Sequence, residues 1–361
     1  MIRSRGWTYT LALALLAACS SATATNDGGT PPPAACTFKN PIDVGADPWV
    51  VQSGGFYYLI ESRDKGIYVY KSASLTSLKQ NPVRIWSAPA SGWNETNIWA
   101  PELHRINGLW YVYYAGGMRH PDGSDAPFTS QRAGVLQSKT DDPQGEYVDK
   151  GMLYTGDNLQ SGTGQVWAID LTVGDINGQL YAVWSGWEQN VSTDKTQQNL
   201  YIARMSDPVT ISTNRVKIAA PDQAWEKGPE LPLEEGPEFL EHAGQEFIIY
   251  STNDSWLPTY QLGQLRLTTP TSDPLNPANY VKTGPVFSGA SDVYGVGHAS
   301  FTKSPDGTED WIVYHSKVST APGWDRVIRT QKFGWNPDGS PNFGVPTASG
   351  QAIRQPAGQC N

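Results

Sequence analysis

The sequence lacks several features that would place it in common functional classes. It has no run of basic residues, and its 26 Lys and Arg are outnumbered by 35 Asp and Glu, which gives a net charge of −9. Nucleic acids and anionic membrane surfaces are therefore poor partners, and a neutral or cationic ligand suits the chain better. No apolar run is long enough to span a bilayer, and the periodicity of amphipathic helices is almost absent. Only three cysteines are present.

The N-terminal segment has the composition of a targeting sequence. Arg3 and Arg5 precede the short apolar run "LALALLAA", which ends in small residues before Cys19, as in a secretory signal. We therefore interpret residues 1–18 as a signal peptide. The letters "LAAC" at Leu16–Cys19 also match the bacterial lipoprotein box, in which the cysteine is lipidated and becomes the new N-terminus. The alternative is an ordinary signal peptide that is cleaved nearby.

Residues 19–35 are interpreted as a lipidated N-terminus followed by a tether. Their Ser, Thr, Gly and Pro residues follow no hydrophobic period, which is typical of a flexible and partly extended linker. We therefore expect an exported, membrane-anchored bacterial lipoprotein of the periplasm or the cell surface. Ser20, rather than an aspartate, follows the cysteine, and this favours the outer membrane.

The remaining residues, 36–361, are predicted to form a single domain. No second linker follows residue 36, and the length suits one large core. If Cys19 is lipidated, Cys36 and Cys360 remain at the two ends of this domain and can form a disulfide in an oxidising compartment. Such a disulfide requires the chain ends to meet. We expect the domain to be a monomer.

A strand–turn–strand pattern occurs five times in this domain. Each unit has a polar residue, a short mixed strand, a turn with glycine and a second strand rich in aromatic and β-branched residues. The five stretches are "DPWVVQSGGFYYLIES", "ELHRINGLWYVYYAG", "DLTVGDINGQLYAVWSG", "EGPEFLEHAGQEFIIYS" and "HASFTKSPDGTEDWIVYHS". A third strand follows every unit, and a fourth apolar run follows four of the five.

Units of this kind predict an all-β fold. Five four-stranded antiparallel units favour a five-bladed β-propeller, because radial repetition leaves only short sheet edges. A β-sandwich is the alternative, but a sandwich would not show the long repeat. Most of the 14 Trp and 17 Tyr residues would then pack between the blades.

The polar residues that open these units are candidates for a shared site. The first strand of each propeller blade lines the central axis, so equivalent residues converge at one end of it. Asp47, Asp170, Glu235 and His298 would meet there, and Glu102 is the weakest match because it lies closer to its turn glycine. Carboxylates so close together repel one another unless one is protonated or paired. That cost indicates a function rather than a contribution to stability.

A cluster of three carboxyl groups can hydrolyse a glycosidic bond. One ionised carboxylate activates water, and one protonated carboxyl group delivers its proton to the leaving oxygen. A third, ionised carboxylate near the acid raises the pKa of the acid by repulsion. This chemistry requires neither a metal nor a cofactor.

The motifs "ADPWVV", "IWAPELHRINGLWYVYYAG", "WAIDLTV", "EGPEFL" and "GHASF" together resemble glycoside hydrolase family 43. The resemblance covers nearly the whole domain and implies a five-bladed propeller that hydrolyses arabinose- or xylose-containing glycans with inversion. It also implies that Asp47 is the general base, Glu235 the general acid and Asp170 the residue that orients the acid and modulates its pKa. Glu234 is the rival for the acid, although strand alternation would turn it to the opposite face.

The same resemblance implies residues that bind substrate. It places Arg326 of "DRVIRTQK" at the sugar pocket, with a salt bridge on the strand surface as the alternative. Trp99, Trp167 and Trp49 are candidates for stacking on a sugar, and packing is an equal alternative for Trp49. His298 matches an axial histidine that holds a water molecule or a structural calcium ion, although a lone histidine is more often a satisfied core residue.

Two further stretches, "NIWAPELH" and "PGWDRVIRTQKFGWNPDGSPNFG", resemble the family branch of exo-acting α-1,5-L-arabinofuranosidases. They imply release of single L-arabinofuranose units from plant cell-wall arabinan or arabino-oligosaccharides. β-Xylosidase and endo-arabinanase activities remain open, as does a non-catalytic glycan-binding surface lipoprotein. The fructan hydrolases, another propeller family with three acids, are rejected because their "NDPNG" and "RDP" signatures are absent.

Overall fold

The computed structural model describes residues 36–360. The predicted signal peptide of residues 1–18, the lipidation of Cys19 and the linker of residues 19–35 lie outside the described residues. Within residues 36–360, no helix is long and apolar enough to cross a membrane.

The described part of the chain consists almost entirely of short β-strands. The strands of the N-terminal segment and of the first two blades are β1 (Thr37–Lys39), β2 (Asp43–Val44), β3 (Trp49–Ser53), β4 (Phe56–Arg63), β5 (Gly66–Ser72), β6 (Val83–Ser87), β7 (Thr96–Ile106), β8 (Leu109–Gly117), β9 (Arg132–Ser138) and β10 (Tyr147–Met152). The strands of the third and fourth blades are β11 (Ala168–Ile176), β12 (Gln179–Gly186), β13 (Asn199–Asp207), β14 (Thr210–Ile211), β15 (Val216–Ala219), β16 (Glu234–His242), β17 (Gln245–Thr252), β18 (Gln261–Leu267) and β19 (Tyr280–Phe287). The last strands are β20 (Tyr294–Lys303), β21 (Asp310–Lys317), β22 (Arg326–Trp335), β23 (Pro341–Asn342) and β24 (Ala352–Arg354). Single-turn 3-10 helices are found at Leu159–Ser161, Ala224–Glu226 and Pro277–Asn279.

Five antiparallel sheets form the blades of a propeller. Their innermost strands are β3, β7, β11, β16 and β20, and each sheet runs outward from that strand. Each innermost strand contacts the next, and β20 contacts β3, so the ring is closed. Three blades have four strands, whereas β14 and β23 add a short extra strand to the third and fifth blades. The predicted five-bladed propeller is confirmed.

Tight turns join the first two strands of the blades. In four blades both central residues of the turn have positive φ, as a type I′ hairpin requires. These pairs are Gly54–Gly55, Asn107–Gly108, Asn177–Gly178 and Ala243–Gly244. The alternation of polar and apolar residues around these turns therefore sets the register of each hairpin.

The hydrophobic core lies between the blades. Five clusters of buried residues each join two neighbouring blades, and together they surround the axis. Trp110, Trp184 and Trp311 are among the largest fully buried side chains of these clusters. As expected from the sequence, most aromatic residues are core.

The N-terminal segment closes the ring. The fifth repeat lacked a fourth apolar run in the sequence, and β2 supplies this strand by pairing with β22. β1 pairs with β24, which brings the two ends of the domain together. Cys36 and Cys360 are present as thiols in hydrogen-bond contact, and that contact raises the pKa of Cys360. The chain ends meet as the disulfide would require, and the disulfide itself stays a prediction.

Candidate active site

A left-handed residue occurs at the same place in every blade, where the innermost strand begins or changes register. These five residues have φ between 40° and 53° and are Asp47, Ala100, Asp170, Gly236 and His298. We call them the axial ring. They precede their turn glycines by eight residues in four blades and by nine in the fifth. Non-glycine residues rarely adopt this conformation, and it is typical of functional sites when they do.

The axial ring corrects two of the alignments made from spacing. Gly236, rather than Glu235, is the ring residue of the fourth blade, and the acid is its immediate neighbour. Ala100, rather than Glu102, is the ring residue of the second blade. Glu102 lies further along β7, where its Oε2 is 2.8 Å from Nε2 of His104. It forms a buried pair with Glu238, whose pKa is raised by burial and then by Glu102.

A cavity of about 520 Å³ opens above the axial ring. Asp47, Asp170 and Glu235 all line it, although they come from three different blades. His298 and Arg326 complete its polar side. The rest of the wall includes five aromatic residues, Trp99, Phe128, Trp167, Trp256 and Trp324, together with smaller apolar and polar side chains. A largely apolar pocket with a few convergent polar groups is typical of a binding site.

Asp47 is surrounded by three basic side chains. Nη1 of Arg326 donates a hydrogen bond to its Oδ1 at 3.0 Å. Nδ1 of His298 and Nδ1 of His315 lie 3.3 and 3.2 Å from the same oxygen. Burial alone would raise the pKa of Asp47, but Arg326 and the two histidines outweigh it and hold the pKa below its ordinary value. Asp47 is therefore ionised at neutral pH, as a base must be.

Glu235 has the opposite electrostatic environment. Burial, with a smaller contribution from the charge of Asp47, raises the pKa of Glu235 to about 7. The hydroxyl of Tyr260 donates a hydrogen bond to its Oε1 at 2.9 Å, and Ser255 provides another hydrogen bond. These two bonds lower the pKa and limit its rise. Glu235 can therefore hold a proton near neutral pH and release it to a substrate, as an acid must.

Asp170 is hydrogen-bonded to the peptide that follows Glu235. Its Oδ2 accepts a hydrogen bond from the backbone N–H of Gly236 at 3.0 Å, which fixes the peptide that follows Glu235. Burial raises the pKa of Asp170 well above its ordinary value, and the charges of Glu235 and Asp47 raise it further. The charge of Asp47 therefore raises the pKa of both Asp170 and Glu235.

The comparison with known proteins agrees with this chemistry. The sequence matches the model of glycosyl hydrolases family 43 over residues 38–341. The chain belongs to glycosyl hydrolase family 43. It is a glycoside hydrolase, and this membership agrees with a reaction that needs no cofactor.

Several proteins that are similar to this family 43 chain are named α-L-arabinofuranosidases. The chain is 36% identical to the extracellular exo-α-(1→5)-L-arabinofuranosidase of Streptomyces avermitilis, across 94% of this chain and 69% of that protein. It is 31% identical to the α-L-arabinofuranosidase 43 of Humicola insolens, across 95% and 69%. The crystal structure of an α-L-arabinofuranosidase from Lactobacillus brevis superposes with a TM-score of 0.76 at 30% identity, covering 87% of this chain and 98% of that one.

Glu234, the rival for the acid of this family 43 site, lies on the other face of β16. Its Oε1 accepts a hydrogen bond from Nζ of Lys282 at 2.6 Å, and it does not line the cavity. Lys282 also binds Glu226, at 2.9 Å. Strand alternation at this point therefore separates a structural carboxylate from the one that faces the cavity.

Two of the three predicted tryptophans line the cavity, and the third packs elsewhere. Trp99 lines the cavity and packs edge-on against Phe128, with centroids 4.9 Å apart. Trp167 also lines it and stacks on Trp187 at 4.4 Å. Trp49 lies away from the cavity lining, against the ring of His104 at 4.4 Å, and its Nε1 donates to the carbonyl of Leu103. The structure therefore assigns Trp49 to packing rather than to sugar stacking.

The residues around His298 do not fit a directly coordinated metal ion. Among residues 36–360, no group of three or more His, Cys, Asp or Glu side chains has a suitable arrangement. Nδ1 of His298 faces the Asp47 carboxylate, and burial lowers the pKa of the ring. A calcium ion held through water molecules stays a prediction.

Four residues of the site were missed by the sequence analysis. The rings of Tyr260 and His315 stack with centroids 5.5 Å apart. The hydroxyl of Tyr260 donates to Glu235, and Nδ1 of His315 faces Oδ1 of Asp47. Trp256 and Trp324 line the mouth of the cavity. Tyr260, Trp256 and Trp324 lie in loops, and His315 lies on β21, the second strand of its blade. Only "PGWDR" beside Arg326 gave a local signal.

Proposed function

We propose that this family 43 hydrolase is an exo-acting α-L-arabinofuranosidase. It would release single L-arabinofuranose units from α-1,5-arabinan or arabino-oligosaccharides with inversion. The observation that carries the proposal is the pair of Asp47, held ionised, and Glu235, with a raised pKa, in one cavity. The names of the Streptomyces avermitilis and Humicola insolens relatives support the choice of sugar.

The proposed reaction has one chemical step. Glu235 gives its proton to the glycosidic oxygen as the bond from that oxygen to the anomeric carbon breaks. Asp47 takes a proton from a water molecule whose oxygen bonds to the anomeric carbon from the opposite face, which inverts its configuration. Asp47 and Glu235 then regain their starting protonation from solvent. Asp170 fixes the Glu235–Gly236 peptide through its hydrogen bond and so orients the acid.

Loops on four blades support exo action. The loops between the second and third strands of blades 2 to 5 comprise residues 118–131, 187–198, 253–260 and 318–325. Neighbouring loops are joined: the N–H of Phe128 donates to Asp194 at 3.2 Å, and Nζ of Lys195 lies 4.5 Å from the ring of Trp256. The corresponding turn in blade 1 has only Asp64 and Lys65. A cavity walled on most sides suits the end of a chain better than its middle.

Variants of the two carboxyl groups test the proposal. We expect Asp47→Ala to lose about 10³-fold or more of its activity on every substrate, because no other group activates the water. We expect Glu235→Ala to retain more activity on nitrophenyl α-L-arabinofuranoside than on debranched arabinan, because nitrophenolate leaves without a proton. Glu146→Ala, an exposed carboxylate, is the control. Proton NMR of the first product would show the β-anomer of arabinofuranose.

Other outcomes of the same assays would contradict the proposal. A ladder of oligosaccharides from debranched arabinan would indicate endo-arabinanase activity, and release of xylose from nitrophenyl β-xyloside would indicate a β-xylosidase. Retardation of the protein in an arabinan gel without any sugar release would indicate a glycan-binding protein. Equal losses for Glu235→Ala on both substrates would remove it from the role of acid.

The proposal includes export and a lipid anchor at Cys19. The relative in Streptomyces avermitilis is described as extracellular, and the "LAAC" motif supports lipidation. A fatty-acid probe should label the wild-type chain in cells and should not label Cys19→Ala. Labelling of both chains, or of neither, would contradict the anchor.

A further inference from the structure

Trp324 is an exposed aromatic residue at the mouth of the catalytic cavity. It belongs to the loop of residues 318–325, and 59% of its surface is exposed. Nothing in the propeller core requires it, since the ring lies outside the five clusters between blades. An exposed aromatic ring on the rim of a binding cavity indicates a surface that a ligand covers.

Contacts from two loops hold the ring of Trp324 in place. The ring packs against Trp256 with centroids 5.5 Å apart at 52°. The N–H of Gly323 donates to the carbonyl of Trp256 at 2.9 Å, and Nζ of Lys317 donates to the carbonyl of Gly323. The guanidinium of Arg326 lies 5.5 Å from the Trp324 centroid. The platform is therefore built before substrate arrives, which limits the entropy lost on binding.

Trp256 belongs to the loop that hydrogen-bonds to Glu235, and Trp324 packs against Trp256 while also lying beside Arg326. Trp256 directly follows Ser255, which hydrogen-bonds to Glu235. The other aromatic residues of the wall, Trp99, Phe128 and Trp167, come from blades 2 and 3 or from the segment between them. Because the acid protonates the oxygen of the leaving group, the leaving sugar must lie beside Glu235. The two tryptophans are therefore placed to contact the leaving part of the substrate.

The wall of the cavity is lowest over blade 1. Long loops stand over blades 2 to 5, whereas blade 1 has the tight Asp64–Lys65 turn. Trp324 belongs to blade 5, which neighbours blade 1 in the ring. Trp324 therefore stands between the high wall of the cavity and its low side over blade 1.

We propose that Trp324, supported by Trp256, is the platform for the first sugar of the leaving chain, and that it determines the preference for oligosaccharides over simple glycosides. The C–H face of an arabinofuranose ring is apolar and can cover the indole, while its hydroxyl groups stay in water. The inference rests on the proposed function, since it takes the leaving group to be an arabinofuranose unit. Trp324 is a specificity-determining residue and takes no part in the proton transfers.

Two substrates separate this role from a structural one. α-1,5-Arabinobiose places a sugar on the platform, whereas methyl α-L-arabinofuranoside has only a methoxy leaving group. We expect Trp324→Ala to lower kcat/KM on arabinobiose about tenfold or more, and to change kcat/KM on the methyl glycoside by less than about twofold. Trp324→Phe should recover most of the loss. Val318→Ala, in the same loop but outside the cavity lining, is the matched control.

Substrate affinity can be measured independently in a variant that does not hydrolyse the substrate. Calorimetry would compare Glu235→Gln with Glu235→Gln/Trp324→Ala. We expect the dissociation constant of arabinotriose to rise about tenfold in the double variant, while that of free L-arabinose stays the same.

Three outcomes would overturn the inference. Equal losses on arabinobiose and the methyl glycoside would make Trp324 a structural residue. Unchanged kinetics on both substrates would show that the leaving sugar binds elsewhere. A wild-type protein that releases no arabinose from arabinobiose would overturn the proposed function as well, and this is seen before any variant is compared.

Discussion

Asp47 and Glu235 carry the same functional group, but their neighbours move their pKa values in opposite directions. Arg326, His298 and His315 surround Asp47, and their attraction for the charged form outweighs its burial. Burial raises the pKa of Glu235 to about 7, although Tyr260 and Ser255 form hydrogen bonds that lower it. Under the proposed function, this difference in environment divides the roles of base and acid between two carboxyl groups.

This division predicts the pH dependence of the reaction. Glu235 must be protonated, so kcat/KM should be maintained below pH 7 and fall as the pH rises through about 7. In Tyr260→Phe the hydrogen bond that lowers the pKa of Glu235 is lost. The alkaline limb of the profile should then move to higher pH. The measurement is kcat/KM on arabinobiose from pH 4 to 9.

The control for this shift is another buried tyrosine. The hydroxyl of Tyr314 bonds to Gln331 at 3.3 Å, in blade 5, so Tyr314→Phe should leave the alkaline limb where it is. A purely structural role of Tyr260 would lower kcat/KM equally at every pH. A shift of the limb to lower pH would contradict the assignment of the hydrogen bond.

The innermost strands show how an element can bring side chains to the axis. A regular strand alternates its side chains between two faces, yet each of these strands begins or breaks at a left-handed residue of the axial ring. In blades 3 and 4 the register shifts there, between Ile169 and Thr172 and between Glu235 and Glu238. These breaks lie beside Asp170 and Glu235, and both side chains line the cavity.

Gly236 is the ring residue whose replacement should show this most directly. Its φ is +52°, and a Cβ there would lie 3.1 Å from the ring of His298. Gly236→Ala should therefore lower the free energy of unfolding by about 1–2 kcal/mol from backbone strain alone, and by more from the clash. It should also lower kcat/KM sharply, because Glu235 and the N–H bound by Asp170 both move. Thermal unfolding and arabinobiose assays measure the two effects.

Gly55 offers a matched control for this prediction. It also has a positive φ, +80°, but a Cβ there would meet nothing within 4 Å. Gly55→Ala should lose stability from strain and keep its activity per folded molecule. If Gly236→Ala kept full activity as well, the axial ring would have no part in positioning the acid.

The whole molecule depends on closure of the ring by segments far apart in sequence. β2 completes the fifth blade, and β1 pairs with β24 beside Cys36 and Cys360. A closed propeller has no free edge between its first and last blades, which is how this architecture avoids exposed strand edges. The cavity lies at one end of that closed ring. Closure therefore also brings Asp47, at the start of blade 1, into contact with Arg326 of blade 5.

A disulfide between Cys36 and Cys360 should therefore link chain ends that the pairing of β1 with β24 already holds together. We expect a Cys36–Cys360 disulfide to form in oxidised protein and to raise Tm by several degrees over Cys36→Ser. The gain should be smaller than the roughly 5 kcal/mol that the chain-entropy model gives for a loop of this length, because β1 and β24 already hold the ends together. Differential scanning calorimetry with and without dithiothreitol measures it.

Activity provides the control for this prediction. Oxidised and reduced protein should have the same kcat/KM at 25 °C, since the two cysteines do not line the cavity. Two titratable thiols after complete air oxidation, or equal Tm values for the oxidised wild type and Cys36→Ser, would contradict the disulfide.

The sequence by itself determined the number of blades, the positions of the hairpin turns and the candidate acids. Turn pairs such as Asn107–Gly108 and the alternation beside them act over about ten residues, so they can be read locally. The family motifs located Asp47, Asp170 and Glu235, which the structure brings into one cavity.

Only the tertiary structure decided which residues share the axial ring and what surrounds the acids. It replaced Glu102 by Ala100, put Gly236 rather than Glu235 in the ring, and moved Trp49 into packing. It also brought Tyr260, Trp256 and Trp324 to the site from loops, and His315 from the second strand of the fifth blade. Burial and charge at Glu235 depend on contacts between residues that are distant in the chain. No local pattern encodes such contacts, because they exist only once the five blades have closed around one axis.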